Sequence, residues 1–344
     1  MRVSEPCLVI GRKGNVGQTH LMIDGSWPTD TTYYVLMRDD IDPKFLQYQL
    51  ISRDLRRLDS STATPSLRRQ DLESVPLTKP RLAEQRRIVE VLEDHLSRLD
   101  AAADYVSAAA RRTTAMVASA RQRLVIEASV SAATLTVGQL ATVGTGTTPS
   151  RSASNYYDNG DIPWVTSGDL SQGTLIGAKQ FVTDVALAET SLKLYPAGTL
   201  LVAMYGEGKT RGTVAELGIP ATINQACAAI QVNDEHLRPW VRAVLEANYA
   251  SMRRLAAGGV QPNLNLSLVR RISIPLPSAA DRERLLAHTS TVLEAAASLH
   301  RRTHTVSLRQ AALRRAVLAA AFNGKLTGHR TDDEVIEEQA EAMA

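Results

Sequence analysis

From Val89 to Leu124 apolar or small side chains recur at alternating intervals of three and four: Val89, Leu92, Leu96, Leu99, Ala103, Val106, Ala110, Thr113, Val117, Ala120 and Leu124. This is an a/d seam sustained over about five heptads. No glycine or proline interrupts residues 82–127. At about 1.5 Å per residue the helix would be roughly 70 Å long, too long for one small domain to bury. It needs a partner. Residues 279–322 supply one: Leu285, Val292, Leu299, Val306, Leu313 and Ala320 fall seven apart, and Thr289, Ala296, Thr303, Gln310 and Val317 fill the other seam position. The second seam is weaker, but small residues such as Ala296, Ala103 and Ala110 allow close approach. Pro80 and Pro277 mark sharp helix starts, and Asn323-Gly324 marks a stop.

Between the helices, residues 129–276 change to short β-branched runs rich in Gly, Thr and Ser. Residues 162–165, 198–204 and 227–232 read as strands. Residues 239–256 read as one amphipathic helix. The pattern predicts an α+β domain. Residues 1–80 resemble only its second half. Pro65-Ser66-Leu67 recurs as Pro262-Asn263-Leu264, and Glu84-Gln85-Arg86-Arg87 as Asp281-Arg282-Glu283-Arg284, both 197 positions later. One unit has therefore been duplicated. In the complete copy 72 residues separate Thr134 from a glycine loop at Gly206, whereas ten precede the matching Gly11, so about sixty have no counterpart. The predicted organisation is a partial domain over 1–80, a long helix over 81–128, a complete domain over 129–276, a second long helix over 277–326 and an acidic, disordered tail over 327–344.

Composition narrows the function. The chain has 344 residues, 44% hydrophobic and 22% charged, ordinary for globular domains. No apolar run reaches the roughly 18–20 residues of a membrane span, and the N-terminus lacks a signal-peptide core, so the expected location is the cytoplasm without membrane contact. Cys7 and Cys227 form no disulfide or zinc pattern. The net charge of +3 conceals a tail, 327–344, with one Arg and six acidic residues. The remainder is basic, as a polyanion-binding or merely solvated surface would be.

The specific strings are Ile162-Pro163-Trp164-Val165-Thr166-Ser167-Gly168-Asp169-Leu170, Tyr195-Pro196-Ala197-Gly198-Thr199-Leu200-Leu201-Val202, Gly218-Ile219-Pro220-Ala221-Thr222-Ile223-Asn224-Gln225, Ile274-Pro275-Leu276-Pro277 and the helix end from Ala316 to Leu326. With alternating α+β segments and long helices, they resemble the specificity subunit of type I restriction–modification systems. The resemblance implies two target recognition domains, the first truncated, each reading half of a split site in double-stranded DNA. It implies that the helices form an antiparallel coiled coil spacing the halves. It further implies two copies of an adenine-N6 methyltransferase subunit, with S-adenosylmethionine on that partner and no cofactor on this chain, and a restriction subunit as a possible addition. The chain itself would be non-catalytic. Accordingly no adenine-methyltransferase tetrapeptide, glycine motif for S-adenosylmethionine, nuclease carboxylate cluster or helicase motif is visible.

Several residues are candidates for contact with DNA. Tyr205-Gly206-Glu207-Gly208-Lys209-Thr210-Arg211-Gly212 looks like a nucleotide-binding P-loop, but Ala203 stands where that pattern needs glycine. Lys209 and Arg211 suit phosphates or base edges, and the first copy likewise places Arg12 and Lys13 between glycines. A hairpin with a solvated tip is the alternative. Thr145, Thr147, Arg151, Thr166 and Ser167 are either base-reading groups or, with Asp169, turn chemistry. Gln261, Asn263 and Asn265 either read adenine or cap a helix. His300 and His304 have a metal-compatible spacing but no acidic partner, and read as a surface or seam pair. The rival readings are a coiled-coil scaffold that does not read DNA, a decayed specificity subunit, and a nucleotide-using enzyme.

Overall fold

The computed structural model describes residues 2–59, 65–130, 132–206, 208–257, 263–324 and 326. Its elements run β1 (Cys7–Gly11), β2 (Thr19–Met22), β3 (Thr32–Leu36), α1 (Pro43–Ser52), α2 (Arg69–Glu73) and the long helix α3 (Leu82–Ser129). Then follow β4 (Ala133–Thr136), α4 (Val137–Leu140), β5 (Ala141–Thr145), β6 (Ile162–Val165), β7 (Thr174–Leu175), β8 (Gln180–Val182) and α5 (Asp184–Glu189). The remainder is β9 (Leu200–Ala203), β10 (Val214–Leu217), β11 (Thr222–Ile223), β12 (Cys227–Val232), α6 (Arg238–Ala247), α7 (Tyr249–Ala257), α8 (Leu266–Arg270), β13 (Ser273–Leu276) and the long helix α9 (Ala279–Phe322). Residues 1–110 with 301–344 form one compact unit, and 111–300 form another. The acidic tail 327–344 lies outside the described residues.

In the first unit an antiparallel sheet of order β2-β1-β3 turns Leu8 and Ile10 onto Leu46 and Leu50 of α1, with Leu55 and Leu67 closing the core. Asp42 starts α1 by accepting from the N–H groups of Lys44 and Phe45, with Pro43 in its first turn. Phe45 faces the opposite way and packs on Ile88, Val89, Leu92, Leu96, Leu318 and Ala321. Gln85 is fully buried: its Oε1 accepts from Asp42 N at 2.8 Å, and its Nε2 donates to Pro80 O at 2.8 Å and Asp40 O at 3.1 Å.

In the second unit a five-stranded sheet of order β5-β12-β9-β10-β7 has an apolar core on each face. One face, with Leu200, Val202, Ala228 and Ile230, packs on Trp240, Val241 and Val244 of α6 and on Leu124 and Leu285. The other face, with Leu201, Ala203, Ala215, Leu217, Cys227 and Ala229, is sealed by Val165, Leu170 and Tyr195. Residues 239–256 are two helices, not the single one expected: α6 stops at Asn248, whose N–H bonds Val244 O at 3.0 Å, and α7 restarts with Met252 in the core.

The internal duplication is visible in hydrogen bonds. Gly11 N donates to Gln18 O as Ala203 N donates to Thr213 O, and Gly17 N donates to Gly11 O as Gly212 N donates to Ala203 O, the latter two each at 2.9 Å. Leu67 N reaches Arg12 O at 2.8 Å where Leu264 N reaches Met204 O at 3.1 Å. The bridge Val3↔Ser26 repeats as Tyr195↔Ala221. Gly11 therefore corresponds to Ala203 rather than to Gly206, because the loop itself is three residues shorter in the first copy. The β2-β1-β3 sheet matches β10-β9-β12, and among the described residues of 1–80 there is no counterpart of β5 to β8.

α3 and α9 form an antiparallel coiled coil. Gln310 Nε2 donates to Leu99 O and Arg314 pairs with Asp100; at the other end Arg284 approaches Glu127 to 3.9 Å. On α3, Leu92, Leu96 and Leu124 are buried, and Leu99, Val106 and Val117 half-buried. On α9 the expectation needs correction. Leu285 is buried and Val292 half-buried, but Leu299, Val306 and Leu313 are 38%, 44% and 52% exposed. The row that faces α3 is Thr289, Ala296, Thr303, Gln310 and Val317. Small and polar side chains fill the narrow space between helices, and the leucine row is rolled outward.

Candidate nucleic-acid interface

Strand register in the second unit brings several loops to one rim. Thr145 ends β5 beside Ala228, Cys227 begins β12 beside Ala203, and Val214 begins β10 beside Val202. Asn224 N donates to Val165 O at 3.0 Å and Thr147 N to Ile223 O at 3.0 Å, which adds the ends of β6 and β11. Gly146 allows this, since a Cβ there would sit 1.7 Å from Ile223 O. Leu264 N on Met204 O brings the segment with Asn263 to the same edge.

The candidate side chains differ in what they are doing. Thr145 Oγ1 donates to Cys227 O at 2.9 Å, and Thr147 Oγ1 lies 2.8 Å from Ser191 Oγ. Thr166 Oγ1 and N both donate to Asp169 Oδ2, at 2.8 and 3.0 Å, so Asp169 serves as turn chemistry. Arg151 stacks over Tyr157 and Trp164 at 5.0 and 4.9 Å and donates to Gln180 Oε1 at 2.9 Å; it braces the β6–β8 sheet. Ser167 and Asn263 are half-buried at the rim. Asn265 caps α8 by accepting from Leu268 N at 2.9 Å. Gln261 lies outside the described residues.

The cationic loop is held from behind. Tyr249 Oη donates to Lys209 O at 2.9 Å and Arg253 Nη1 to Arg211 O at 3.2 Å, and Arg253 lies 5.5 Å above the Tyr249 ring. Lys209 is exposed, and Arg211 has its Nε buried with no hydrogen-bond partner. Among the described residues no carboxylate pairs with Lys209, Arg211 or Arg253. Elsewhere in the unit, by contrast, Arg121, Arg238 and Arg242 are neutralised by Glu216 and Glu246. The loop continues into β10, not into a helix whose N-terminus would take a nucleotide phosphate. In the first unit Arg12 stacks over Tyr33 at 5.5 Å, donates to Asp30 O at 3.2 Å and likewise has a buried, unpartnered Nε; Lys13 is exposed. His300 and His304 are exposed, and among the described residues no metal-binding cluster forms. No helix among them is long and apolar enough to cross a membrane.

Tyr249, Arg253 and the exposed Gln225, whose Oε1 accepts from Thr148 Oγ1, were not singled out from sequence. The signal for Arg253 was present: Leu55-Arg56-Arg57-Leu58 recurs as Met252-Arg253-Arg254-Leu255, again 197 positions on.

Residues 3–103 and 131–303 match the family model for the type I restriction modification DNA specificity domain. The chain belongs to this family. Within it, the EcoR124I/EcoR124II type I restriction enzyme specificity subunit of Escherichia coli is 23% identical over 154 residues, 44% of this chain and 38% of that protein. The MjaIX specificity subunit of Methanocaldococcus jannaschii is 27% identical over 154 residues, 43% of this chain and 35% of that one. The chain thus aligns with little more than a third of the length of these curated relatives. The specificity-domain fold extends further than the sequence likeness. A chain solved in a study of complex assembly and conformational transition of the type I R-M system superposes with a TM-score of 0.77 at 17% identity, covering 93% of this chain and 82% of its own. The HsdS subunit from Thermoanaerobacter tengcongensis gives 0.52 at 16% identity, covering 93% and 81%.

Proposed function

We propose that this chain is the DNA sequence-recognition subunit of a type I restriction–modification complex, directing adenine-N6 methylation to a split site. The observation that carries the reading is the rim of the second unit. Its loops converge on one edge with unneutralised cations beside half-buried polar groups, the combination that phosphate anchoring plus base reading requires. Lys209 and Arg211 would hold phosphates, with Arg12 and Lys13 in the matching loop of the first unit. Ser167, Asn263 and Gln225 would meet base edges, and the internally bonded Thr145, Thr147 and Thr166 would set the loop shapes. The chain would be cytoplasmic and carry no catalysis. The methyltransferase subunits, in two copies with their S-adenosylmethionine, would supply the chemistry.

The test is a map of methylated adenines in the host genome before and after deletion of this gene, with the intact gene returned in trans. The expected result is a motif that vanishes on deletion and returns on complementation. Methylation unchanged by the deletion refutes the proposal.

A further inference from the structure

The loop that carries Lys209 and Arg211 has little stiffness of its own. Gly206 (φ +133°), Gly208 (φ +57°) and Gly212 (φ +83°) adopt backbone that other residues rarely take. A chain this rich in glycine loses much conformational entropy when it is fixed, so whatever fixes it before a ligand arrives adds to affinity. Two bonds come from within the segment: Thr213 Oγ1 donates to Lys209 O at 3.1 Å and Thr213 N to Thr210 O at 3.0 Å. Two more come from α7. Tyr249 and Arg253 are four residues apart and so share one face of that helix, while Met252 is fully buried in the core. Tyr249 Oη donates to Lys209 O at 2.9 Å and Arg253 Nη1 to Arg211 O at 3.2 Å. Gly212 lets the loop rest on this face, since a Cβ there would already stand 3.4 Å from Tyr249 Cδ2 and 3.5 Å from Arg253 Cγ.

The chemistry of this brace differs from that of the other charged contacts of the unit. There, Glu216 and Glu246 hold Arg121, Arg238 and Arg242, and each carboxylate cancels charge. Behind the loop the donors are a phenol and a guanidinium, and the acceptors are backbone carbonyls. The loop is held in place and its positive charge is left intact. Arg253 is itself steadied over the Tyr249 ring, 5.5 Å from the centroid. We infer that Tyr249 and Arg253 are positioning residues for the cationic loop. They fix the carbonyls of Lys209 and Arg211, and so set those two side chains for phosphate in advance, without touching DNA themselves. This inference rests on the DNA-recognition reading above.

The test measures binding of the full chain, assembled with its methyltransferase subunit, to a duplex carrying the motif mapped in the host, over a range of salt. K209Q/R211Q is expected to flatten the dependence of log K on log salt by about 1.8, about 0.9 for each lost phosphate contact. Y249F removes one hydroxyl and no charge. It is expected to weaken binding about 2- to 10-fold, the worth of one hydrogen bond, with the salt slope unchanged. R253Q is expected to do the same. In the K209Q/R211Q background Y249F should have no further effect, because the side chains it positions are gone. An unchanged affinity in Y249F, with K209Q/R211Q behaving as expected, would overturn the inference alone. So would an equal loss from Y249F in both backgrounds, which marks a general structural role. A slope flattened by about 0.9 in R253Q would make Arg253 a phosphate contact and overturn its positioning role. If K209Q/R211Q changes neither affinity nor slope, the DNA-recognition reading of this loop fails, and the inference with it.

Discussion

Leu92→Ala and Leu313→Ala separate the observed helix interface from the one that heptad spacing alone implies. Leu92 is fully buried among Phe45, Val89, Leu96, Leu318 and Ala321. Truncation removes three carbons, worth about 0.8 kcal/mol each in transfer, and leaves a cavity between two long helices that cannot easily collapse. The expected cost is about 3–4 kcal/mol, a fall in midpoint of roughly 6–16 °C for a unit of this size. Leu313 is 52% exposed, so about half the transfer term applies and no enclosed cavity forms; the expected cost is about 1 kcal/mol. Thermal melts by circular dichroism on both variants of the full chain measure the difference. A loss for Leu313→Ala as large as about 3 kcal/mol would return the leucine row of α9 to the seam and refute the threonine–alanine interface. A loss for Leu92→Ala as small as about 1 kcal/mol would remove Leu92 from the core.

Gln85→Ala should cost about 2–4 kcal/mol, because it leaves the Asp42 N–H and the Pro80 and Asp40 carbonyls without their buried partner; denaturant titration measures it, and a loss under 1 kcal/mol would contradict the bonding described. Cys227 is fully buried, and burial, with the nearby Asp169 charge adding to it, pushes its thiol up. It should therefore resist alkylation in the native chain at neutral pH and react only on unfolding; rapid native labelling followed by mass spectrometry would contradict this.

What sequence made legible follows from which forces are local. The α3 seam was readable because one stripe, Leu92 to Leu124, is set by helical period and every member faces inward. The α9 seam was not, since two rows at the same seven-residue spacing compete. Hydrophobicity favours Leu299, Val306 and Leu313, whereas the steric fit that decides the matter depends on the facing helix. The strands of residues 162–165 and 227–232 were legible from β-branched and apolar runs between turns. The break at Asn248 was not, because it depends on Met252 returning to a core that only the folded sheet defines. At the candidate interface the glycine-flanked cations were legible as a motif. That Thr145 and Thr166 spend their hydroxyls on Cys227 O and Asp169 was not, since those partners lie in the register of the sheet or in a turn that spacing leaves ambiguous.

The two sheets differ in how they use their second face. In the second unit the face carrying Leu201, Ala203, Ala215, Leu217, Cys227 and Ala229 is almost wholly buried beneath the β6 side of the fold. The matching positions in the first unit are Val9, Gly11, His20, Met22, Thr32 and Tyr34, on the face turned away from Leu8 and Ile10. Here His20 is exposed, Tyr34 is 41% exposed and Met22 36%. At four of the six positions the apolar residues of the second unit have given way to His20, Met22, Thr32 and Tyr34. The opposite face keeps its full complement: Leu8 and Ile10 are as buried as Leu200 and Val202. The core against this sheet is built from α1, the Leu55–Leu58 turn and Leu67, on the Leu8 and Ile10 side. That is the side on which the Leu55–Leu58 turn meets Gly17, where an added Cβ would lie 2.7 Å from Leu55 Cβ.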